Sequence, residues 1–152
     1  PLTELLLFSA ARNDHLEHLI RPALKQGQWV LCDRFSDSTR IYQGMMGAVS
    51  HAVIEALDQL VVSRTQPDLT LILDLEAHEG LRRANARRGA IQADGFEAES
   101  LEFHEQLREG FLALAAQDPK RMAVIDASGS EDDVHGRIWS VVEARLFTEV
   151  KV

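Results

Sequence analysis

An aspartate followed at once by an arginine, Asp33-Arg34, closes the short apolar run Trp29-Val30-Leu31-Cys32. Side by side at a strand end, a carboxylate and a guanidinium can hold a metal–phosphate pair, because the guanidinium fork matches phosphate oxygens. Two further apolar runs end in an acid, residues 69–73 in Asp74 and residues 122–125 in Asp126. Aspartate is common in turns and at helix starts, so for Asp74 and Asp126 the purely structural reading is preferred. A basic cluster follows at Arg82, Arg83, Arg87 and Arg88, where Arg83 and Arg87 share one helix face. Two readings of it stay open. One is a solvated face paired to Glu76 and Glu79. The other is a lid that brings arginine to transferring phosphates, where charge stabilisation is the main catalytic task. Phe8 and Arg12, one helical turn apart, suit the stacking and hydrogen bonding of a planar base. On spacing alone, Phe8 in the core and Arg12 on the rim is the stronger reading. His15 and His18, beside Asp14 and Glu17, have a spacing compatible with a metal but no third ligand. Trp29 and Trp139 read as packing residues.

These residues need elements to position them. Residues 3–25 carry apolar side chains at helical spacing, with a kink or restart expected near Arg21 because Pro22 lacks a backbone donor. The runs 29–32, 69–73 and 122–125 read as strands buried on both faces. Helical patterns cover 50–62, 77–88, 97–117 and about 131–147, the last with Ser130 as N-cap. Strands separated by long helices indicate parallel β-α-β units and a three-layer α/β sheet. In such sheets ligands gather beyond the carboxyl ends of the strands, where all three acids lie. The stretch from Gly89 to Gly95, between two charged helices, is a candidate flap.

The chain has 152 residues, 45% hydrophobic and 26% charged, which fits one globular domain. Sixteen basic against twenty-four acidic residues give a formal charge of −8, which argues against broad nucleic-acid binding. No apolar run approaches the ~18–20 residues that span a bilayer. The single cysteine, Cys32, excludes an intrachain disulfide and points to a reducing compartment such as the cytoplasm. The start at Pro1, already in helical rhythm and without Met, reads as a truncation.

Taken in order, the residues resemble the thymidylate kinase family. The run from Asp33 to Gly44, Asp-Arg-Phe-Ser-Asp-Ser-Thr-Arg-Ile-Tyr-Gln-Gly, matches its Asp-Arg-aromatic, Ser/Thr-rich, Ala-Tyr-Gln-Gly pattern. Upstream, Glu4-Leu5-Leu6-Leu7-Phe8-Ser9-Ala10-Ala11-Arg12 is similar to its Glu-Leu-Leu-Leu-Phe-x-Ala-x-Arg helix. Downstream, residues 67–74 are similar to its Pro-Asp-Leu-Thr strand, and the likeness continues through 80–84 and Phe96-Glu97 to Ile125-Asp126-Ala127. The resemblance implies an α/β three-layer parallel-sheet sandwich of the P-loop nucleoside monophosphate kinase type. It implies a single domain over 1–152 with a lid at about 83–97, usually a homodimer, here packed through residues 3–24. It implies transfer of the γ-phosphate of ATP to dTMP, with Mg2+.

The same resemblance implies roles for individual residues. Phe8 would stack on thymine and Arg12 would bond its O4 edge. Arg34 would contact the dTMP phosphate, and Asp33 would order the magnesium shell through water. Thr39 and Gln43 would line the base pocket, and Tyr42 would pack against the sugar. Arg87, with Arg83 or Arg88, would act from the lid, and Ala127 and Ser128 would flank adenine. Two departures stand out. The family's first strand and Gly-x-x-x-x-Gly-Lys-Ser/Thr phosphate loop do not occur in these 152 residues. The lid end reads Asp94-Gly95-Phe96-Glu97, with Gly95 in the place of an arginine. A different nucleoside monophosphate kinase, or a non-catalytic nucleotide-binding remnant, are the alternatives kept open.

Overall fold

The computed structural model describes residues 1–47, 49–88 and 99–147, without the Arg88 side chain. The chain forms two compact units, Pro1–Gln66 and Pro67–Val152.

The first unit is helical. Helix α1 (Leu2–His15) runs through a π segment (Leu16–Ile20) into α2 (Arg21–Lys25). The irregularity falls in the turn before Pro22. A proline at position 22 cannot donate to the carbonyl four residues back, and the Arg21 amide bonds instead to Leu16 O, five residues back. The expected kink is therefore a widened turn. Leu16 and Ile20 from this turn pack with Val61 and Val62 at the end of α4 (His51–Val61), with Val30 and Phe35 against them. Arg21 ties the two ends together by donating to Thr65 Oγ1 at 3.0 Å and to Val61 O at 3.0 Å.

Between them lie α3 (Ser36–Thr39) and a second π segment (Arg40–Met45), where the Met46 amide bonds to Ile41 O. The Ser/Thr-rich stretch of the motif is thus helical. At Gly44 a Cβ would lie 2.9 Å from Ile54 Cδ1 of α4, so a side chain there would displace the end of Ile54. The expected strand at 29–32 is not formed. A strand exists only through a ladder, and among the described residues the ladder found joins β-strands at 70–74 and 122–126; Leu31 is 99% exposed.

The second unit holds a two-stranded parallel sheet, β1 (Thr70–Asp74) with β2 (Met122–Asp126), in register from Thr70↔Met122 to Asp74↔Asp126. Parallel strands need a long crossover. Here it contains α5 (Ala77–Arg88) and α6 (Leu101–Gln117), and α6 packs on both strands. Helix α6 begins at Leu101, capped by Ser100 Oγ accepting from the Phe103 amide at 3.2 Å, so Glu99 and Ser100 precede the helix. The flap at 89–95 and the motif from Asp94 to Glu97 lie outside the described residues. After β2, α7 (Glu131–Leu146) starts on a capping box between Ser130 and Asp133. Three acids in its first turn, Glu131, Asp132 and Asp133, suit the positive end of the helix dipole.

Candidate functional site

In the first unit residues of the sequence motif meet one another and Arg12. Asp33 and Arg34 sit in the turn before α3, both exposed. Arg34 has φ 61°, a left-handed conformation rare for a side-chain-bearing residue. Its guanidinium lies 4.6 Å over the Tyr42 ring, a cation–π geometry. Arg12 donates to Thr39 Oγ1 at 2.6 Å and lies 5.5 Å from the centroid of Phe35. The structure therefore brings Arg12 to Thr39 and to Phe35; Phe8 stays half exposed one turn back on α1. Burial pulls the Arg12 guanidinium below its ordinary pKa, while Asp58, Cys32 and Asp37 push it back up. Burial, then the neighbouring Asp33, pushes the Cys32 thiol up.

The buried polar side chains of the described residues are Ser9, Ser36, Asp37, Thr39, Gln43 and Asp58, all in this unit. Buried polar groups cost free energy unless partnered, so this concentration calls for partners within the unit. Arg40 is one, with Nη2 3.1 Å from Asp58 Oδ2 and 3.1 Å from Glu55 Oε1. Arg40 and Asp58 were missed from sequence. A signal existed: Asp58 falls on the buried stripe of α4, between Ile54 and Val61.

In the second unit most arginines hold structure. Arg108 makes a bidentate pair with Asp74 at 2.6 and 2.9 Å, which holds the Asp74 carboxyl below its usual range. Asp126 Oδ1 accepts from the Ser128 amide at 2.8 Å, and these Ser128 contacts lower its pKa. Both acids thus fit the structural reading preferred for them. Glu79 accepts from Arg82 at 2.6 and 2.8 Å and from Arg83 at 2.8 Å, which lowers its pKa to about 2. Arg83 also reaches Ala127 O at 3.2 Å. Arg87 is exposed on α5, and the Arg88 side chain lies outside the described residues. Ala127 is half buried and Ser128 exposed, just beyond the carboxyl end of β2. Arg108 and Arg137, absent from the sequence reading, find their partners only through the fold.

Comparison with known proteins places this geometry. The thymidylate kinase family model matches residues 1–138. A thymidylate kinase of Rhodopseudomonas palustris (strain BisB18) is 52% identical over 143 residues, covering 94% of this chain and 62% of that protein. One from Bradyrhizobium diazoefficiens is 53% identical over 146 residues, covering 96% and 64%. The crystal structure of thymidylate kinase from Ehrlichia chaffeensis superimposes with a TM-score of 0.71 at 31% identity, over 93% of this chain and 66% of that one. The chain therefore spans a little under two thirds of the length of these relatives. With its family model matched from residue 1 to residue 138 and a relative 52% identical over 94% of its length, the chain belongs to the thymidylate kinase family.

Proposed function

We propose that the protein to which this chain belongs transfers the γ-phosphate of ATP to dTMP, giving dTDP for dTTP synthesis. The observation that carries the reading is the Arg12–Thr39 hydrogen bond beside Arg34 on the Tyr42 ring. It pairs a half-buried donor, suited to a base carbonyl, with an exposed guanidinium suited to a phosphate. In this reading Arg12, Thr39 and Gln43 read the pyrimidine edge, Phe8 covers the ring, and Tyr42 packs against the deoxyribose. Arg34 holds the acceptor phosphate. Arg87, with Arg83 and Arg88 as further lid candidates, stabilises the transferring charge, and Ala127 and Ser128 flank the donor base.

Mg2+ accompanies ATP in this reading and would neutralise phosphate charge. Among the described residues no three His, Cys, Asp or Glu side chains cluster. Asp33, an exposed carboxylate beside Arg34, would orient the water shell of the ion. The reading also includes a single P-loop-kinase-type domain with a lid at about 83–97, a homodimer packed through residues 3–24, and a cytoplasmic location. The exposed Leu2, Leu6, Leu7, Leu19 and Leu24 support that dimer face. No helix of the described residues is long and apolar enough to cross a membrane.

The test is a coupled assay of the full-length kinase with ATP and, in turn, dTMP, dUMP, CMP and AMP. Preference for dTMP is expected. Equal or better turnover of CMP or AMP would establish a different monophosphate kinase, and none with any substrate would favour a binding remnant.

A further inference from the structure

The four successive carbonyls after β2, from Asp126 to Gly129, each accept from a guanidinium. Arg137, reaching from α7, donates through Nη1 to Asp126 O at 2.8 Å and to Ser128 O at 2.6 Å. Arg83, reaching from α5, donates to Ala127 O at 3.2 Å and to Gly129 O at 3.4 Å. One arginine takes the even positions and the other the odd ones. Neither arginine reaches all four, so the loop is held from two helices, α7 through Arg137 and α5 through Arg83.

Each guanidinium is itself fixed. Arg83 Nε is held by Glu79 at 2.8 Å, and Arg137 stands 3.6 Å from the Asp126 carboxylate. That carboxylate also accepts from the Ser128 amide at 2.8 Å. Ala127, Ser128 and Gly129 have almost no side chain to pack, and Gly129 turns at φ +88° into the Ser130 cap. Order in this loop must come from its backbone contacts, and a loop ordered beforehand lowers the entropic cost of binding.

We propose that Arg83 and Arg137 are positioning residues that together fix the 126–129 loop for the base of the donor nucleotide. Arg83 then acts through the backbone of this loop and leaves the phosphates to Arg87. The proposal rests on the reading of Ala127 and Ser128 as the adenine side. An arginine fork can serve two carbonyls at once, whereas a lysine presents a single compact charge.

The test uses the full-length kinase with Arg83→Met, Arg137→Met and the two Lys replacements. Both guanidiniums are partly exposed, and the Lys variants keep the charge. Steady-state kinetics are read alongside hydrogen exchange of the amides from Ser128 to Ser130. Both Met variants should exchange faster there and raise KM for ATP about tenfold, as loss of hydrogen bonds from a charged donor allows. KM for dTMP should stay within about twofold, and Lys should recover only part of the loss. A kcat lowered about thousandfold in Arg83→Met, with KM for ATP unchanged, would instead put Arg83 on the phosphates and overturn the proposal. Unchanged exchange in both Met variants also overturns it, as does faster exchange with unchanged KM for ATP. Wild-type protein inactive on dTMP would sink the proposed function, while the exchange comparison would still decide whether the two arginines hold the loop.

Discussion

Two arginines of the first unit, Arg12 and Arg34, are held differently from those that pair with carboxylates and carbonyls, a pattern of Arg21 and Arg40 as well as of the second unit. In the first, Arg12 and Arg34 lie against the faces of Phe35 and Tyr42, near buried hydroxyl, amide and carboxylate groups. In the second, Arg82, Arg108 and Arg121 are paired with carboxylates, and Arg83, Arg137 and Arg145 reach backbone carbonyls. An aromatic face steadies a guanidinium yet leaves most of its in-plane donors available, whereas a bidentate carboxylate uses them. The difference teaches that a count of arginines is a poor guide to a phosphate site. What matters is which donors the fold has already occupied.

The sharpest test of this contrast is at Arg87, an exposed residue of α5 proposed to meet the γ-phosphate. In the full-length enzyme, Arg87→Ala should lower kcat by ~10³-fold with KM for dTMP little changed, because the contact strengthens in the transition state. A kcat within about threefold of wild type, only ~0.65 kcal/mol, would leave the phosphate role to another residue.

Arg12 comes next. Arg12→Met keeps much of the stem but removes the donors to Thr39 and to the base. KM for dTMP should rise by about tenfold to a hundredfold, the range for a hydrogen bond from a charged donor, with KM for ATP unchanged. Equal rises in both constants would show that Arg12 supports the fold of its unit and has no particular role toward the acceptor.

Tyr42 sharpens the contrast on the sugar side. A packed ring rejects an added hydroxyl by at most ~10²-fold, so preference for dTMP over ribothymidine monophosphate should be of that order or less. Tyr42→Ala should lower kcat/KM for dTMP and narrow the ratio between the two substrates. If the ratio is the same in both proteins, the ring serves only to carry Arg34.

The smallest effect belongs to Glu79, whose pKa is lowered to about 2 by its two arginines. A carboxyl more acidic in the folded chain than in the unfolded one stabilises the fold above its unfolded pKa. That contribution is lost as pH falls from about 4.5 toward 2. Glu79 stays partly open to solvent, so the loss is slight. Glu79→Gln should flatten the fall of the urea midpoint across that window, and a parallel fall in the two proteins would show that the pair adds nothing.

Much of the second unit was legible in sequence because its signals are local. The helix at 77–88, the runs ending in Asp74 and Asp126, and the Ser130 cap depend on neighbours within a turn or a strand. The first unit was less so. Ser36, Ser38 and Thr39 compete with the backbone for hydrogen bonds and read as a turn, yet packing of Ile41 and Gln43 makes the stretch helical. The apolar run at 29–32 carried a strand pattern, but pairing is a property of a neighbour and no sequence pattern supplies one. Arg108 and Asp74 are 34 positions apart, and only the crossover brings them together. Within the stretch from Asp33 to Gly44 the fold sets Arg34 over Tyr42, and Arg12 meets Thr39 and Phe35 while Phe8 stays half exposed.

The left-handed turn at Arg34 has a consequence for how this position would answer to selection. The backbone there suits glycine, while the chemistry proposed for it asks for a guanidinium. In a library randomised at residue 34, a screen for thermal survival would favour glycine, freed of strain on the order of 1 kcal/mol. A screen for growth dependent on dTDP would favour arginine. The two rankings would disagree at this one codon, and the size of the disagreement would measure how far function holds the chain away from its most comfortable shape.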